Sequence, residues 1–244
     1  MVLLLQYTLT FASVLILVAL GGCFSEHSGV INLGLEGIMI MGALGGALTM
    51  RYLGENSSHF ATILAVVLVS AAVGMVYSCL LAVACINFKA DQTLVGTALN
   101  LLGTAGATVI VKAINTAANP DDVSSTIQYA GAKKAFLENI GSFEFSWFML
   151  VTLLLLIAAY VLKRTRVGLH LRAVGENPQT ADAAGIDVNK YKYVATCVGS
   201  MIAGLGGLYY VMDYACGVWS NDAFGDRGWL AIALVIFTIW RPVV

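Results

Sequence analysis

The chain has 244 residues, 59% of them hydrophobic and 11% charged, with a formal net charge of −1. Ordinary soluble domains carry roughly 25% charged residues, so this sequence cannot build a water-facing surface. That excludes an ordinary soluble domain and points to an all-α, polytopic helical bundle in a bilayer.

Apolar spans run over Val2–Cys23, Val30–Leu53, Phe60–Phe88, Leu94–Ile114, Phe145–Leu162 and Val194–Met212. Each is near the roughly 20 residues that a bilayer requires. A seventh begins near Trp229 and reaches Val244, shorter than a comfortable crossing. The first ends in Leu20-Gly21-Gly22-Cys23, which resembles a lipoprotein processing site. A signal peptide wants a positively charged start, and no Lys or Arg precedes this span. The five cysteines, at positions 23, 79, 85, 197 and 216, are odd in number and lack metal-ligand spacing. They read as packing residues, and the histidines show no ligand pattern either.

The second span opens SEHSGVINLGLEGIMIMGALGGA and sets Asn32 and Glu36 four residues apart, hence on one helical face. A charge at the bilayer centre costs about 2.5–3.5 kcal/mol on insertion scales. Such a residue faces a cavity or partner helix, or is neutralised. Gly34, Gly37, Gly42, Gly45 and Gly46 permit close packing or a local break. Asn32 and Glu36 thus have two readings: a place on a pathway, or satisfaction of the backbone freed by a broken helix.

The fourth span begins ADQTLVGTALNLLGTAGATVIV, with Gly96, Asn100, Thr104 and Thr108 in a row that by itself argues helix contact. After it, the polar Asn115–Gly141 stretch carries Asp121, Asp122 and Glu138 and offers a landing surface for a partner protein. Gly199, Ala203 and Gly207 in the sixth span form a helix-contact stripe. Near the C-terminus, Gly225-Asp226-Arg227-Gly228-Trp229 leads into LAIALVIFTIWRP. Trp219, Trp229 and Trp240 suit an interfacial belt. This segment weakly resembles the second span, hinting at an inverted repeat.

Between the fifth and sixth spans lies a polar loop, Lys163–Lys192, holding six of the thirteen basic residues. Asn177-Pro178 is a helix start, with Asn as cap and Pro at the first helical position, and Gly185 is a left-handed stop. Isolated helices below about 12–15 residues are marginal in water. A helix of about two turns faced by Ala181, Ala184 and Ile186 therefore packs against something outside its own short sequence.

The loop sequence RTRVGLHLRAVGENPQTADAAGIDVNKY, with its core RAVGENP and ADAAGI, resembles the coupling loop of ATP-binding-cassette importer permeases of the nucleoside, simple-sugar and branched-chain amino acid branch. Arg166 stands where a proline is expected. The second span resembles the family's Ser-Glu-Arg-x-Gly-Val-Ile-Asn opening, with His27 in place of Arg, and Thr238 replaces a usual glycine. The wording is closest to the nucleoside permeases. The resemblance implies one transmembrane permease domain over 1–244, incomplete at its C-terminus, with the cytoplasmic coupling loop at 163–192. It implies that Gly175, Glu176, Asn177, Pro178, Ala181, Ala184 and Gly185 dock on the ATPase, and that Asn100, beside Asp91-Gln92 and Gly96, joins Asn32 and Glu36 on the substrate pathway. Its implied partners are ATP-binding-cassette ATPase subunits, a second homologous permease, an extracytoplasmic solute-binding lipoprotein, a small-molecule substrate and membrane lipid.

If the loop is cytoplasmic, alternation of the spans puts Lys89 and Arg241 inside and the N-terminus outside. The balance is then eight basic residues inside against five outside, namely Arg51, Lys112, Lys133, Lys134 and Arg227. There is no G-x-x-x-x-G-K-[ST] phosphate loop, H-E-x-x-H or nucleophile elbow. Nothing calls for a catalytic residue, a metal, a cofactor or a nucleic acid. Two other classes stand beside the permease reading: an ion-coupled secondary transporter using Glu36, and a membrane scaffold.

Overall fold

Long apolar segments can satisfy their backbone in lipid only as helices or closed barrels, and this chain forms helices. A computed structural model describes residues 2–53, 59–128, 153–154, 157–158, 160–215, 217–220 and 224–237. The helices are α1 (Val2–Glu26), α2 (Leu35–Leu53), α3 (His59–Ala82), α4 (Gln92–Ala118), α5 (Arg166–Glu176), α6 (Pro178–Ala183), α7 (Val188–Tyr209) and α8 (Arg227–Phe237). Helices α3 and α7 end in π-helical turns, Val83–Asn87 and Tyr210–Tyr214. Two short strands, β1 (Thr126–Gln128) and β2 (Val218–Ser220), pair antiparallel, with Ile127 opposite Trp219. Among the described residues four helices are long and apolar enough to cross a membrane, over Thr8–Glu26, Ala61–Asn87, Gln92–Ala118 and Val188–Met212. More than half of the expected Phe145–Leu162 span lies outside the described residues. So do Lys133, Lys134, Glu138, Cys216, Thr238, Trp240 and Arg241.

Three expectations change. The second span does not become helical until Leu35, because Gly29 takes a left-handed φ of 79° and the Ser25 and Ser28 hydroxyls bond Val30 O and Ser25 O in a closed turn. The polar loop holds more helix than the Asn177 signal announces: α5 starts on Thr165, whose hydroxyl accepts from Gly168 N at 3.2 Å, and α7 starts on Asp187. Trp219 is no interfacial anchor. It is fully buried, with its indole N–H directed at Ile40 O at 3.4 Å.

Helices α1, α2, α3 and α7 pack into one core at close range. A Cβ on Gly42 would lie 2.6 Å from Gly204 Cα, and one on Gly207 would overlap Met39 O. Gly199 and Ala203 meet Gly21 of α1, so the expected stripe is a packing face. Cys23 and Cys85 are buried in this bundle. Helix α4 lies on α2 and turns Leu94, Leu101 and Val109 outward, at 70%, 74% and 65% exposure.

The C-terminal end of α2 is fastened by polar side chains. Arg51 Nη1 donates to Asn115 Oδ1 at 2.9 Å, and Asn115 Nδ2 donates to Ser124 O and Thr126 O at 3.1 and 3.0 Å. Asp122 accepts from Ser124 N at 2.9 Å, and bonds from the Ser124 hydroxyl and amide, with the Arg51 charge behind them, hold its carboxyl below the usual range.

Candidate functional site

A helix that starts inside a protein leaves its first N–H groups without intrahelical acceptors. At the start of α2 these acceptors are side chains. Asn32 Oδ1 accepts from Gly34 N at 3.1 Å, and Asn100 Oδ1, reaching across from α4, accepts from Gly37 N at 2.9 Å. Asn100 Nδ2 also donates to Leu33 O at 2.8 Å, so one amide clamps both sides of the break. The clamp needs the helices close, and a Cβ on Gly37 would sit 2.7 Å from Leu99 O.

Helix α8 is capped by its neighbour. Glu36, 5% exposed in the first turn of α2, accepts from Gly228 N at the start of α8 through Oε2. The two helix starts therefore meet at one carboxylate. The guanidinium of Arg227 lies 4.5 Å from the Tyr210 ring centroid and 5.5 Å from that of Phe11. Before α8, Gly225 and Asp226 both take left-handed φ values, 52° and 57°.

Where α2, α4 and the start of α8 meet there is a cavity of about 520 Å³, lined among others by Glu36, Asn100, Thr97, Thr104, Asp226 and Trp229. It brings two of the three predicted pathway residues together. Asn32 is not on its wall. The one-face argument for Asn32 and Glu36 holds only within a helix, and Asn32 precedes α2, buried at 1% exposure, where it caps Gly34 and points Nδ2 to Ser200 Oγ at 3.5 Å. Asp226 and Trp229 escaped sequence reasoning as site residues. The available signal was the Gly-Asp turn itself, since left-handed φ is taken mainly by Gly, Asn and Asp.

The polar loop forms a second candidate surface. Asn177 Oδ1 accepts from Thr180 N at 3.1 Å, and Gly185, at φ 81°, closes the short helix with Ile186 N bonding Ala181 O at 3.0 Å. Glu176, Asn177, Pro178, Ala184 and Gly185 are exposed. Ala181 instead faces the chain's own interior at 4% exposure. Gly175 lies against the His27–Gly29 turn, where a Cβ would overlap His27 O. Two of the seven predicted docking residues thus hold the loop to the bundle, and the other five form the knob.

A family model described as branched-chain amino acid transport system / permease component matches residues 4–243. The chain belongs to this family. It is 35% identical over 97% of its length to the guanosine ABC transporter permease protein NupQ of Bacillus subtilis, covering 75% of that protein. It is 34% identical to the putative glucose ABC transporter permease protein TsgC13 of Haloferax volcanii, over 98% of this chain and 71% of that one. To the nucleoside ABC transporter permease protein NupC of Lactococcus lactis it is 32% identical, over 96% of this chain and 75% of NupC. No solved structure matches. The chain is a multi-pass membrane permease of the ATP-binding-cassette type, a transport subunit and not an ion-coupled carrier or an enzyme. A permease of this type implies ATPase and binding-protein partners.

Proposed function

We propose that the chain is the membrane subunit of an importer for a small neutral solute, a nucleoside ahead of a simple sugar, and that the cavity beside Glu36 and Asn100 belongs to its translocation path. The observation that carries this reading is the cross-helix cap of α8 by Glu36, which puts a carboxylate, an amide and two threonines around one cavity between helix starts. Helix starts lining a cavity are a recurring arrangement at transporter binding sites. Hydrogen-bonding walls suit a polar, uncharged solute. The names of NupQ and NupC favour a nucleoside, and that of TsgC13 keeps a sugar as the second choice.

The chain acts as one transmembrane domain over 1–244. Its loop 163–192 is cytoplasmic and presents the knob of Glu176, Asn177, Pro178, Ala184 and Gly185 to an ATPase subunit, with Ala181 and Gly175 anchoring it. Gly175 touches the turn that leads to the break before α2. Movement of the knob is thereby passed to the segment that Asn32 and Asn100 hold. The outward apolar side chains of α4 and α8 meet lipid and a second, homologous permease, and an extracytoplasmic lipoprotein delivers the solute.

The test is reconstitution of the chain with its ATPase, second permease and lipoprotein in proteoliposomes. ATP-dependent nucleoside uptake is expected. Uptake that ignores ATP depletion and collapses with an uncoupler would overturn the reading, as would an assembled, ATP-hydrolysing complex that moves neither nucleosides nor sugars.

A further inference from the structure

Helices α3 and α7 pack antiparallel along a seam of small residues. Ser70 Oγ donates to Gly204 O at 3.1 Å, and a Cβ on Gly74 would lie 2.8 Å from Ser200 O. Small residues let two backbones approach this closely. One turn further along α3 the same register brings Ser78 and Cys79 to Cys197 of α7, and both of their side chains hydrogen-bond the Cys197 thiol. Cys79 Sγ also donates to Met75 O at 3.4 Å. Beyond the thiols the seam continues to the π-helical turn, where the Tyr193 hydroxyl donates to Asn87 Oδ1 at 3.0 Å. The two helices are therefore held in step on both sides of the cysteine pair.

Cys23 and Cys85 are buried, whereas Cys79 and Cys197 are half-buried. The exposed side chains of Val76 and Leu80 on α3 and of Val194 and Val198 on α7 flank them, so the pair lies at an apolar opening of the seam. Hydrogen peroxide is small and uncharged and reaches such a place, which a bulky charged disulfide enters poorly. A thiolate attacks the peroxide, its sulfur taking one oxygen to become a sulfenic acid while the other oxygen leaves as water. The second thiol then displaces that hydroxyl as another water and the two sulfurs are joined. The thiols lose two electrons and two protons, and one peroxide is reduced to two waters. A dithiol reductant reopens the bond by exchange. Intracellular disulfides are mostly transient and serve sensing or catalysis rather than structure.

The position of the pair gives the bond a consequence. The polar loop 163–192 ends in the first turn of α7, and Cys197 lies two turns further on. We propose that Cys79 and Cys197 are an oxidisable thiol pair, and that the disulfide formed by peroxide fixes the loop-bearing end of α7 to α3 and halts coupling until it is reduced. The second half rests on the coupling-loop reading above.

The test treats the full reconstituted assembly with hydrogen peroxide, alkylates the remaining thiols and searches the digest for a peptide linking Cys79 to Cys197. Substrate-stimulated ATP hydrolysis is measured before oxidation, after it, and after reduction with dithiothreitol. The link is expected to form, hydrolysis to be lost with it and to return on reduction, and Cys79→Ser and Cys197→Ser to keep their hydrolysis at the same dose. Peroxide that leaves both thiols free to alkylate overturns the proposal. Equal inhibition of the two variants overturns it too, since the sensitive group then lies elsewhere in the assembly. Should the variants fail to assemble, a titration of the unmodified assembly decides: hydrolysis falling in proportion to the linked fraction supports the proposal, and hydrolysis lost before the link forms overturns it. A link with undiminished hydrolysis, in an assembly that Ala184→Glu disables, sinks the proposal and leaves the coupling-loop reading standing. Normal hydrolysis in Ala184→Glu sinks that reading and the second half of the proposal with it.

Discussion

Replacing Glu36 by Gln or by Ala separates a cap from a pathway group. In the structure the carboxylate accepts from Gly228 N and lies at the start of both α2 and α8. A hydrogen bond to a charged group contributes about 1.5–3 kcal/mol and a neutral one about 0.5–1.5, so Glu36→Gln loses about 1 kcal/mol from the bond itself. The helix-end charge interaction adds about 0.3–1 kcal/mol, and up to about 2 in partly buried geometry. Glu36→Ala further leaves the Gly228 amide without its acceptor, at about 1–3 kcal/mol. With about 2–4 °C of Tm per kcal/mol for a chain of this size, Glu36→Gln should melt about 5 °C below the unmodified protein and Glu36→Ala about 10 °C below. The assays are thermal melting of the purified assembly in detergent and ATP-driven uptake in proteoliposomes. Glu36→Gln is expected to assemble and to transport poorly or with altered solute preference. Glu36→Ala melting with the unmodified protein would refute the cap. Normal uptake by Glu36→Gln, with failure of Glu36→Ala to assemble, would refute the pathway role and leave Glu36 as a structural residue.

Asn100→Ala removes both arms of the clamp on α2, leaving Gly37 N and Leu33 O without their partners, and should cost about 2–4 kcal/mol, read as a lower melting temperature and reduced assembly. Gly207→Ala should prevent α7 from packing on α2, because its Cβ would overlap Met39 O, whereas Gly106→Ala meets nothing within 4 Å and should be silent; expression and melting of the two variants compare them directly. Ala184→Glu should abolish substrate-stimulated ATP hydrolysis with membrane insertion intact, while Ala181→Glu, at 4% exposure, should unfold the loop itself, as limited proteolysis would report. A cysteine placed at Gln179 should resist a membrane-impermeant reagent in intact cells, and ready labelling would reverse the topology. Asp122 titrates below the usual carboxylate range when folded, so its contribution is present above the unfolded pKa and is lost as pH falls through the folded value; protection of the Ser124 amide from hydrogen exchange, which Asp122 accepts from, should fall only in strongly acidic buffer.

The helices were legible because lipid leaves apolar segments few alternatives, and the cap at Asn177 and stop at Gly185 because both act within a few residues of themselves. The break before α2 was half legible. Its glycines permitted either packing or a break, and only the Asn100 amide from α4 and the Ser25–Gly29 turn decide where helix begins. Placing Asn32 on the face of Glu36 failed for that reason: a spacing argument presumes the helix it is used on. The belt reading of Trp219 failed because the rule concerns residues facing the membrane interface, while the pairing of β1 with β2 carries this one into the core. Asp226 stood in a motif read only as a weak repeat of the second span, and Trp229 was read as part of an interfacial belt. Nothing local in that segment reports that α8 starts against α2.

The meeting of those two starts also fixes where Glu36 sits. Each helix start carries the equivalent of roughly half a positive charge, and two of them facing one cavity would repel each other and attract any passing anion. Glu36 belongs to the first turn of α2 and bonds the first turn of α8, so one side chain serves both ends. The backbone donor that meets the Glu36 side chain here is Gly228 N. Asn100 then has a separate task, holding the start of α2 at the position from which Glu36 reaches Gly228. That division leaves Asp226 exposed on the cavity wall.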